Sequence, residues 1–339
     1  MKIIVDAMGG DNAPQAIVQG ALNAAKGLGV NVLLVGRTEE ILRAVEACGE
    51  KTLPAGVEIH NATQVVEIAD DPAFAFKQKK DSSLTVGLNL LRDGAGDAFV
   101  SAGSTGALLS GATLVAKRIR GIRRAAMAPQ IPVLGGKAVL CDCGANAECT
   151  PEYLVQFAFL GSYYAHRVMG IEKPRVALLN IGAEEEKGDE LRRETYQRLQ
   201  ALGEAGRLNF VGNIEGSTAM LGGADVIVAD GFAGNVMLKS LEGTGKFLFE
   251  LLKGEFTRGL STKAAALLMK DGLHRLKDTV DPRETGGTPF LGISKPVIKA
   301  HGSSDAKAIR NAILRAKELV ESGLVEDICR DVEQMRVEM

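Results

Sequence analysis

From Asp97 to Leu108 the chain reads DAFVSAGSTGAL, an apolar run that passes directly into a cluster of small and hydroxyl-bearing residues. The run Ala98–Val100 is typical of a strand buried on both faces, and a helix is expected to begin near Ala107. Small residues between the two expose backbone N–H groups, and the dipole of the following helix adds positive potential. This order of strand, tight turn and helix predicts an α/β fold with an anion site at the turn.

Similar alternation continues along all 339 residues. The other predicted strands are Ile3–Val5, Val32–Val35, Ala138–Leu140, Val176–Leu179, Leu208–Val211 and Val226–Ala229. The predicted helices are Ala16–Leu28, Glu39–Ala47, Thr85–Arg92, Pro151–Met169, Leu191–Leu202 and Asp305–Ser322. Short continuous apolar runs are typical of parallel strands covered by helices on both faces, so the pattern predicts a doubly wound α/β sandwich with a mostly parallel sheet. No linker or repeat divides the chain, and we predict one domain over residues 1–339.

Polar and glycine-rich clusters follow almost every predicted strand. They comprise Asp6 with Gly9 and Gly10, the turn Gly103–Ser104–Thr105–Gly106, Asp142 to Asn146, Asn180 to Lys187, Asp230 to Asn235, and His301 with Ser303 and Ser304. Ligands of open α/β sheets bind beyond the carboxyl ends of the strands. We therefore expect a convergent site at the rim of one sheet, although each cluster alone could be a turn or a helix cap.

A basic patch, Lys77 to Ser83, runs into a predicted helix start. Lys79 and Ser82 could clamp a phosphate there. The alternative is a solvated surface that ends in a serine cap.

Composition excludes several classes of function. The net charge is −2, tryptophan is absent and aromatic residues make up 4% of the chain, so nucleic-acid binding is not expected. Five scattered cysteines suggest reduced thiols and a cytoplasmic protein. No apolar run reaches the roughly 18 residues of a membrane span.

The sequence does not favour nucleotide binding, zinc or cysteine chemistry, or serine hydrolysis. Nucleotide-binding glycine motifs are missing. The spacing of Cys141, Cys143 and Cys149 is poor for zinc, and no histidine is placed to activate Cys143 as a nucleophile. The run Ala102–Gly106 approximates the nucleophile elbow of a serine hydrolase, but the oxyanion-loop signature is missing. We therefore expect no metal site and no covalent intermediate.

One segment, residues 247–278, departs from the α/β pattern. It combines apolar and basic residues in two predicted helices that break near Gly254–Gly259. Such a pair could pack on the core or on a second subunit. It could equally lie on an anionic membrane surface.

The ordered motifs resemble one known family. The matching segments are Val5–Asp11, Ser101–Leu108, Cys143–Asn146, Pro151–Leu154, Leu179–Gly182, Asp230–Asn235 and Lys299–Ala306. Together they resemble the PlsX-type phosphate acyltransferases of bacterial phospholipid synthesis, from Met1 to about Leu324. Family members often carry Asn at the position of Ser104 and Arg at that of Lys77. The first difference suggests that residue 104 donates a hydrogen bond, and the second weakens any bidentate grip on phosphate.

The resemblance implies a Rossmann-like three-layer α/β/α sandwich, similar to phosphotransacetylases and isocitrate dehydrogenases, in a homodimer. It implies an acyltransferase that converts fatty acyl-acyl carrier protein and inorganic phosphate into acyl phosphate without a cofactor. A membrane glycerol-phosphate acyltransferase would use the product, so peripheral attachment of a cytoplasmic enzyme is expected. The rival functions are a phosphotransacetylase acting on acetyl-coenzyme A and a non-catalytic interaction protein.

Roles for individual residues are hypotheses. Phosphate would be held by Lys79, Ser82, Gly103, Ser104, Thr105, Gly106, Ser303 and Ser304. Asn180 or Asn235 would stabilise the charge that develops on the thioester oxygen. His301 or Lys187 would supply a proton to the leaving thiol. The remaining substrate contacts would come from Asp6, Gly9, Gly10, Asp142, Asn146 and Asp230.

Overall fold

The computed structural model describes residues 1–67, 69–72 and 74–335. Residues 336–339, the end of the predicted single domain, lie outside the described residues. The strands are β1 (Lys2–Asp6), β2 (Asn31–Gly36), β3 (Val57–Asn61), β4 (Ala98–Ser101), β5 (Ala126–Met127), β6 (Gln130–Val133), β7 (Gly136–Cys141), β8 (Val176–Leu179), β9 (Phe210–Ile214), β10 (Val226–Val228), β11 (Thr288–Leu291) and β12 (Val297–Lys299).

The α-helices connect and cover these strands. They are α1 (Gln15–Leu28), α2 (Thr38–Ala47), α3 (Ala75–Gln78), α4 (Ser83–Arg92), α5 (Thr105–Gly111), α6 (Pro151–Arg167), α7 (Glu190–Glu204), α8 (Gly216–Met220), α9 (Gly231–Thr257), α10 (Leu260–Leu268), α11 (Lys270–Val280), α12 (Pro282–Thr285), α13 (Ala306–Glu321) and α14 (Leu324–Asp331). Helix α5 continues into a π-helical segment, Ala112–Lys117, and a 3₁₀ turn, Val332–Met335, follows α14.

Sheet I has the strand order β3-β2-β1-β4-β12-β11-β5. Its central strands are parallel: Val5 of β1 pairs with Leu34 of β2 and with Val100 of β4. Strand β11 runs antiparallel to both of its neighbours. The parallel strands end at one edge of the sheet, so the loops that follow β1, β4 and β12 lie side by side.

Sheet II has the order β6-β7-β10-β8-β9. Ile227 of β10 pairs in parallel with Leu140 of β7 and with Ala177 of β8, and all three side chains are buried. Only the edge strand β6 is antiparallel within this described sheet. The loops after β7, β8 and β10 therefore share one edge of sheet II.

The two sheets correct the expectation that all six clusters end strands of one sheet. The chain leaves sheet I after Met127 and enters sheet II at Gln130. Buried parallel strands have the same apolar character in either sheet, so local sequence does not show where one sheet ends. The strand predicted at Leu208–Val211 was placed two to three residues too early, because β9 runs from Phe210 to Ile214, and its pairing with β8 starts where the Val176 amide donates to the Asn209 carbonyl at 2.9 Å.

The predicted fold class is confirmed: both sheets are mostly parallel and are covered by helices. The predicted helices correspond to α1, α2, α4, α6, α7 and α13, with ends that differ by one or two residues. Apolar residues at helical spacing pack onto the sheets. In α13, for example, Ile309, Ala312, Ile313 and Ala316 are fully buried.

The helical projection, residues 247–278, comprises the end of α9 with α10 and most of α11. The predicted break lies at Arg258 and Gly259, and a second break at Met269 separates α10 from α11. Helix α10 has no buried residue, and Leu267 and Leu268 are 75% and 91% exposed. Among the described residues, no helix combines the length and the apolar character that crossing a membrane requires.

Candidate active site

Three loops at the edge of sheet I meet in one place. They follow β1 (residues 8–12), β4 (residues 101–106) and β12 (residues 300–305), and together we call them the seat. The Asp11 amide donates to the Gly302 carbonyl at 2.8 Å. The Asn12 side-chain amide donates to the carbonyls of Ser303 and Ser304, both at 3.2 Å. The convergence that the sequence predicted therefore holds for these three clusters.

The buried Asp6 carboxylate organises the floor of the seat. Ser101 Oγ donates to Asp6 Oδ2 at 2.7 Å and accepts from the Gly103 amide at 3.0 Å. Burial raises the pKa of Asp6, while hydrogen bonds from Ser83 and Ser101 act in the opposite direction. This chain of bonds fixes the turn of residues 101–106, so Asp6 shapes the seat from below.

Glycine is required where these loops touch. A Cβ on Gly9 would lie 2.5 Å from Asp6 Oδ2 and 2.8 Å from the Gly103 nitrogen. Gly10 has a φ of +105°, a backbone conformation that residues with a side chain rarely adopt. A side chain at either position would force the β1 loop away from the β4 loop.

Lys299, at the end of β12, adds a positive charge that the sequence reasoning missed. Its side chain is only 8% exposed, and Nζ donates to the Ala102 carbonyl at 3.4 Å and to the Ala300 carbonyl. Burial lowers the pKa of Lys299 to about 8, and the charges of Asp6 and Asp11 partly oppose that shift. A buried ammonium therefore links the loops after β4 and β12.

The β12 loop contains His301 and Ser304. His301 Nδ1 lies 2.9 Å from Ser303 Oγ and accepts from the Ser303 amide at 3.2 Å. Burial lowers the pKa of His301, as does the charge of Lys239. Ser304 Oγ is buried and has no hydrogen-bond partner among the described residues. An unsatisfied hydroxyl in this loop is available to a ligand.

The basic patch is placed differently from the predicted clamp. Lys79 Nζ pairs with Asp70 at 2.5 Å and donates to the Val65 carbonyl at 2.8 Å. Ser82 Oγ is buried and caps α4 by accepting from the Thr85 amide at 3.2 Å. Pro72, which precedes the patch in sequence, does lie beside the seat, because a Cβ on Gly106 would be 2.8 Å from its side chain.

On sheet II, Asp142 fixes the loop after β7. Its Oδ1 accepts from the amides of Met127 and Cys143 at 2.8 and 2.7 Å. Its Oδ2 accepts from the Asn146 amide at 2.7 Å and from Asn146 Nδ2 at 3.0 Å. Burial raises the pKa of Asp142. Both carboxylate oxygens are therefore hydrogen-bonded within this region, so Asp142 stabilises the conformation of the loop.

The loop after β10 opens α9 beside the Asp142 loop. Asp230 caps this helix by accepting from the Ala233 amide at 2.8 Å, and it pairs with Arg192. A Cβ on Gly234 would lie 2.0 Å from the Asp142 carbonyl. Asn235 follows, exposed, close to Gly144. The cap and the close contact together hold the start of α9 against the Asp142 loop, with the Asn235 amide exposed beside that loop.

The loop after β8 is closed by Asn180. Its Nδ2 donates to the Lys187 carbonyl at 3.0 Å, and its Oδ1 accepts from the Ile181 amide at 2.8 Å. Lys187 is exposed, and its side chain lies beside Gly182 of the same loop. The geometry gives Asn180 a structural bond at each end of its amide, so Asn235 is better placed to donate to a substrate.

Helix α9 lies near loops of both sheets. Lys239 pairs with Glu242 at 2.8 Å. The charges of these two residues act on His301 of sheet I and also on Cys143 of sheet II. The six clusters thus divide equally between the sheets, and α9 carries charge to one loop of each.

The two cysteines in and just after the Asp142 loop, Cys143 and Cys149, are unsuited to nucleophilic attack. Burial raises the pKa of both Cys143 and Cys149 to about 12. Their thiols stay protonated at neutral pH, whereas a reactive cysteine needs a thiolate. Ser104 caps α5, with its Oγ accepting from the Ala107 amide at 3.5 Å, which gives it a structural role within the turn.

Two residues beside the seat have roles that sequence reasoning missed. The amide of Ser83 was assigned to the possible phosphate clamp, yet its side chain contributes a hydrogen bond to Asp6. Lys299 follows two apolar strand residues, Val297 and Ile298, and begins a segment that resembles the family, but it was given no role in the site. The signal that could have found it is a lysine inside a fully apolar strand, since burial of an unpaired lysine is uncommon.

Comparisons with known proteins show the family. The model of the family described as "Fatty acid synthesis protein" matches residues 1–327. The phosphate acyltransferase of Caldanaerobacter subterraneus subsp. tengcongensis is 46% identical over 334 residues, which cover 98% of this chain and 98% of that protein. The phosphate acyltransferase of Thermoanaerobacter pseudethanolicus is 46% identical over 340 residues, covering 100% of this chain and 99% of that protein.

A solved structure with the same fold is a phosphotransacetylase from Streptococcus pyogenes. It aligns with a TM-score of 0.63 at 18% identity and covers 94% of each chain. This likeness concerns the fold alone and agrees with the two mostly parallel sheets. By sequence and by fold, the chain belongs to the PlsX-type phosphate acyltransferases, a family of acyltransferase enzymes of fatty acid and phospholipid synthesis.

Proposed function

We propose that the enzyme transfers a fatty acyl group from acyl carrier protein to inorganic phosphate. The products are an acyl phosphate and the free carrier protein. The observation that carries this proposal is the seat, where three loops, a buried ammonium and an unsatisfied hydroxyl meet at the start of a helix. An anion is the ligand that such a combination favours.

Phosphate would bind at the turn of residues 103–106. The amides of Thr105 and Gly106 lie in the first turn of α5 and have no acceptor within that helix. Ser304 Oγ and the Lys299 ammonium complete the seat. Lys79 is already bonded to Asp70 and to the Val65 carbonyl, so we assign it no direct contact with phosphate.

The reaction needs positioning more than it needs a protein nucleophile. An oxygen of hydrogen phosphate attacks the thioester carbonyl, the C–O bond forms, and the C–S bond then breaks. Asn235 and backbone amides would donate to the carbonyl oxygen as it gains charge. The proton that phosphate loses goes to the leaving thiolate. Because Nδ1 of His301 accepts from the Ser303 amide, the neutral ring carries its proton on Nε2 and would donate a hydrogen bond to the leaving sulfur.

A phosphate-dependent hydroxamate assay tests the proposal directly. Palmitoyl-acyl carrier protein and phosphate should give an acyl phosphate that hydroxylamine traps, with a matched reaction lacking phosphate to subtract direct aminolysis of the thioester. Acetyl-coenzyme A in place of the carrier protein tests the phosphotransacetylase alternative. Absence of any phosphate-dependent hydroxamate from the palmitoyl donor would count against the proposal.

The product suggests where the enzyme works. An acyl phosphate is amphiphilic and would feed a membrane enzyme that acylates glycerol 3-phosphate. The helical projection exposes Leu267 and Leu268 among Lys263, Lys270 and Arg275. We propose that this surface attaches a cytoplasmic homodimer to anionic lipid. Contact with the second subunit is the alternative occupant of the same surface.

A further inference from the structure

A groove of about 270 Å³ begins at Leu109, one helical turn beyond Thr105 of the seat. One wall is the helix that begins at Thr105, which presents Leu109, Thr113 and Leu114. The opposite wall includes Arg124 and Asn146, and Arg118 lies at the end of the helix. The groove therefore connects the α5 side of the seat with the Asp142 loop of sheet II.

The helix that forms this groove has an unusual backbone. Its seven α-helical residues are followed by the six-residue π-helical segment Ala112–Lys117. Lys117 then adopts a φ of +70°, which is uncommon for a residue other than glycine. π-Helical turns are rare and are often found at functional sites. Here the wide turn carries Thr113 and Leu114, and the strained residue precedes Arg118.

Both arginine side chains of the groove are held in place. Arg118 donates to the Arg123 carbonyl. The Arg124 guanidinium lies 5.6 Å from the centre of the Tyr153 ring. Neither guanidinium forms an ion pair with a carboxylate in the part of the chain that the structure describes. Two guanidinium groups that are held in position and not paired with a carboxylate are suited to binding a phosphate. Because an apolar wall lies beside them, that phosphate is expected to belong to a longer, partly apolar molecule.

We propose that the groove binds the phosphopantetheine arm of the carrier protein, with Arg118 and Arg124 holding its phosphate. This inference rests on the proposed function. The thioester end of the arm lies at the seat, and the phosphate end lies near the end of the helix. The thirteen helical residues between these ends span about 20 Å at 1.5 Å per residue, a distance that an extended arm can cover.

The lining favours the arm over the fatty acyl chain. A pantetheine arm has two amides and a branched apolar segment, and the groove offers Ser110 and Asn146 beside Leu109 and Leu114. A hydrocarbon chain would gain nothing from two guanidinium groups and would leave polar lining atoms without partners.

A comparison of two small donors tests the inference. Acyl-4′-phosphopantetheine and acyl-pantetheine differ only in the phosphate. The wild-type enzyme should prefer the phosphorylated donor in kcat/KM by at least about tenfold, because a charge-assisted pair contributes roughly 1.5–3 kcal/mol. In the Arg118→Ala/Arg124→Ala variant this preference should fall to near unity, while the KM for inorganic phosphate stays unchanged.

The matched control is Arg120→Ala, an exposed arginine of the same connection that does not line the groove. It should keep the full preference, and both variants should melt like the wild type. An undiminished preference in the double variant overturns the inference. So does a variant that is impaired only with the whole carrier protein, since the arginines would then contact the protein surface.

Direct binding separates failure of this inference from failure of the proposed function. Calorimetry with 4′-phosphopantetheine alone requires no turnover. Binding that is lost in the double variant supports the groove even if no acyl phosphate forms in any assay. Equal binding by the wild type and the double variant, or no binding by either, overturns the groove even if the enzyme is active.

Discussion

The charge state of Lys299 depends on its buried surroundings. It lies on β12 with its side chain buried, and it bonds to the carbonyls of two loops. Asp6, Asp11 and Lys239 are the charged groups that act on it. Because burial lowers its pKa to about 8, the ammonium is present at pH 7 and is lost over the next two pH units. The positive charge of the seat should therefore depend on pH.

Replacing Lys299 with Met tests this dependence. In the wild type the KM for phosphate should rise as the pH increases through about 8, because the attraction to the ammonium is lost. In Lys299→Met the KM at pH 7 should already be raised about tenfold or more. It should also lack the wild-type increase near pH 8. The measurement is the KM for phosphate from pH 6.5 to 9.5 in both proteins.

Lys295→Met is the matched control, because Lys295 is exposed in the turn before β12. The pH dependence of the free energy of unfolding provides an independent test of the lowered pKa of Lys299. Between about pH 8 and the ordinary lysine pKa of 10.5 the unfolded chain binds the extra proton, so wild-type stability should gain a rising contribution with pH across this window. Lys299→Met lacks that contribution. Identical pH profiles for KM in the wild type and the variant would contradict the role in phosphate binding.

Residue patterns predicted the seat better than they predicted individual roles. Strand-end clusters identified Asp6, Gly9 and Ser304, because parallel strands bring their ends to a common edge. They did not distinguish a side chain that faces a ligand from one that braces a loop. Asn180 and Asp142 use their side chains to close their own loops. That distinction depends on tertiary hydrogen bonds, which local sequence does not encode.

At the scale of elements, the long amphipathic helices and the parallel strands with continuous apolar runs were predictable, but strands β3, β11 and β12 were not. Strand β3 alternates in burial at an edge of sheet I, so Val57–Asn61 has no continuous apolar run. Strand β11 begins with Thr288 and Pro289, and β12 has only two apolar residues before Lys299, so neither contains an apolar run of three or more residues. Yet β12 positions Lys299 and the His301 loop. The element that completes the seat was thus among the weakest in sequence signal.

The helical projection was recognised from its mixture of apolar and basic residues. Changing Leu267 and Leu268 to Glu should reduce binding to vesicles of anionic phospholipid by at least about tenfold, since each buried leucine contributes about 1.5–3 kcal/mol. Because both side chains are exposed, the melting temperature should stay close to that of the wild type. Vesicle sedimentation and a thermal melt measure the two effects.

Leu221→Glu provides the control for this experiment, because Leu221 is 67% exposed and follows α8, outside the projection. Its vesicle binding should equal that of the wild type. Unchanged sedimentation of Leu267→Glu/Leu268→Glu would remove the lipid proposal. If the double variant instead dissociates into monomers in analytical ultracentrifugation, the projection is a subunit contact.

At the scale of the whole molecule, the strand-end clusters are divided between two sheets. The sequence predicted the loops but placed them on a single sheet, because the choice of strand partners is non-local. Under the proposed function, the two sheets would have separate tasks. Sheet I would bind phosphate with Lys299 and Ser304, and sheet II would contribute Asn235 and one wall of the groove. Phosphate and thioester would then be held by different sheets.

This division predicts that phosphate alone stabilises the enzyme through sheet I. At one hundred times its Kd, phosphate should add about 2.7 kcal/mol to the free energy of unfolding. Ser304→Ala should be as stable as the wild type without phosphate, because it removes a hydroxyl that has no partner among the described residues. At the same phosphate concentration its stabilisation should be clearly smaller, since a hydrogen bond to a charged group contributes about 1.5–3 kcal/mol.

Thr195→Val is the matched control, because Thr195 on α7 is the other buried hydroxyl without a partner in the described chain and it packs beside sheet II. It should keep the full response to phosphate. Thermal melts of the three proteins across a phosphate titration measure the difference, with chloride at equal ionic strength as the blank. If Ser304→Ala gained as much stability from phosphate as the wild type, the unsatisfied hydroxyl would have no part in binding. A reduced gain in Thr195→Val as well would mean that phosphate acts on the whole surface, whereas a loss confined to Ser304→Ala locates it where the three loops of sheet I meet.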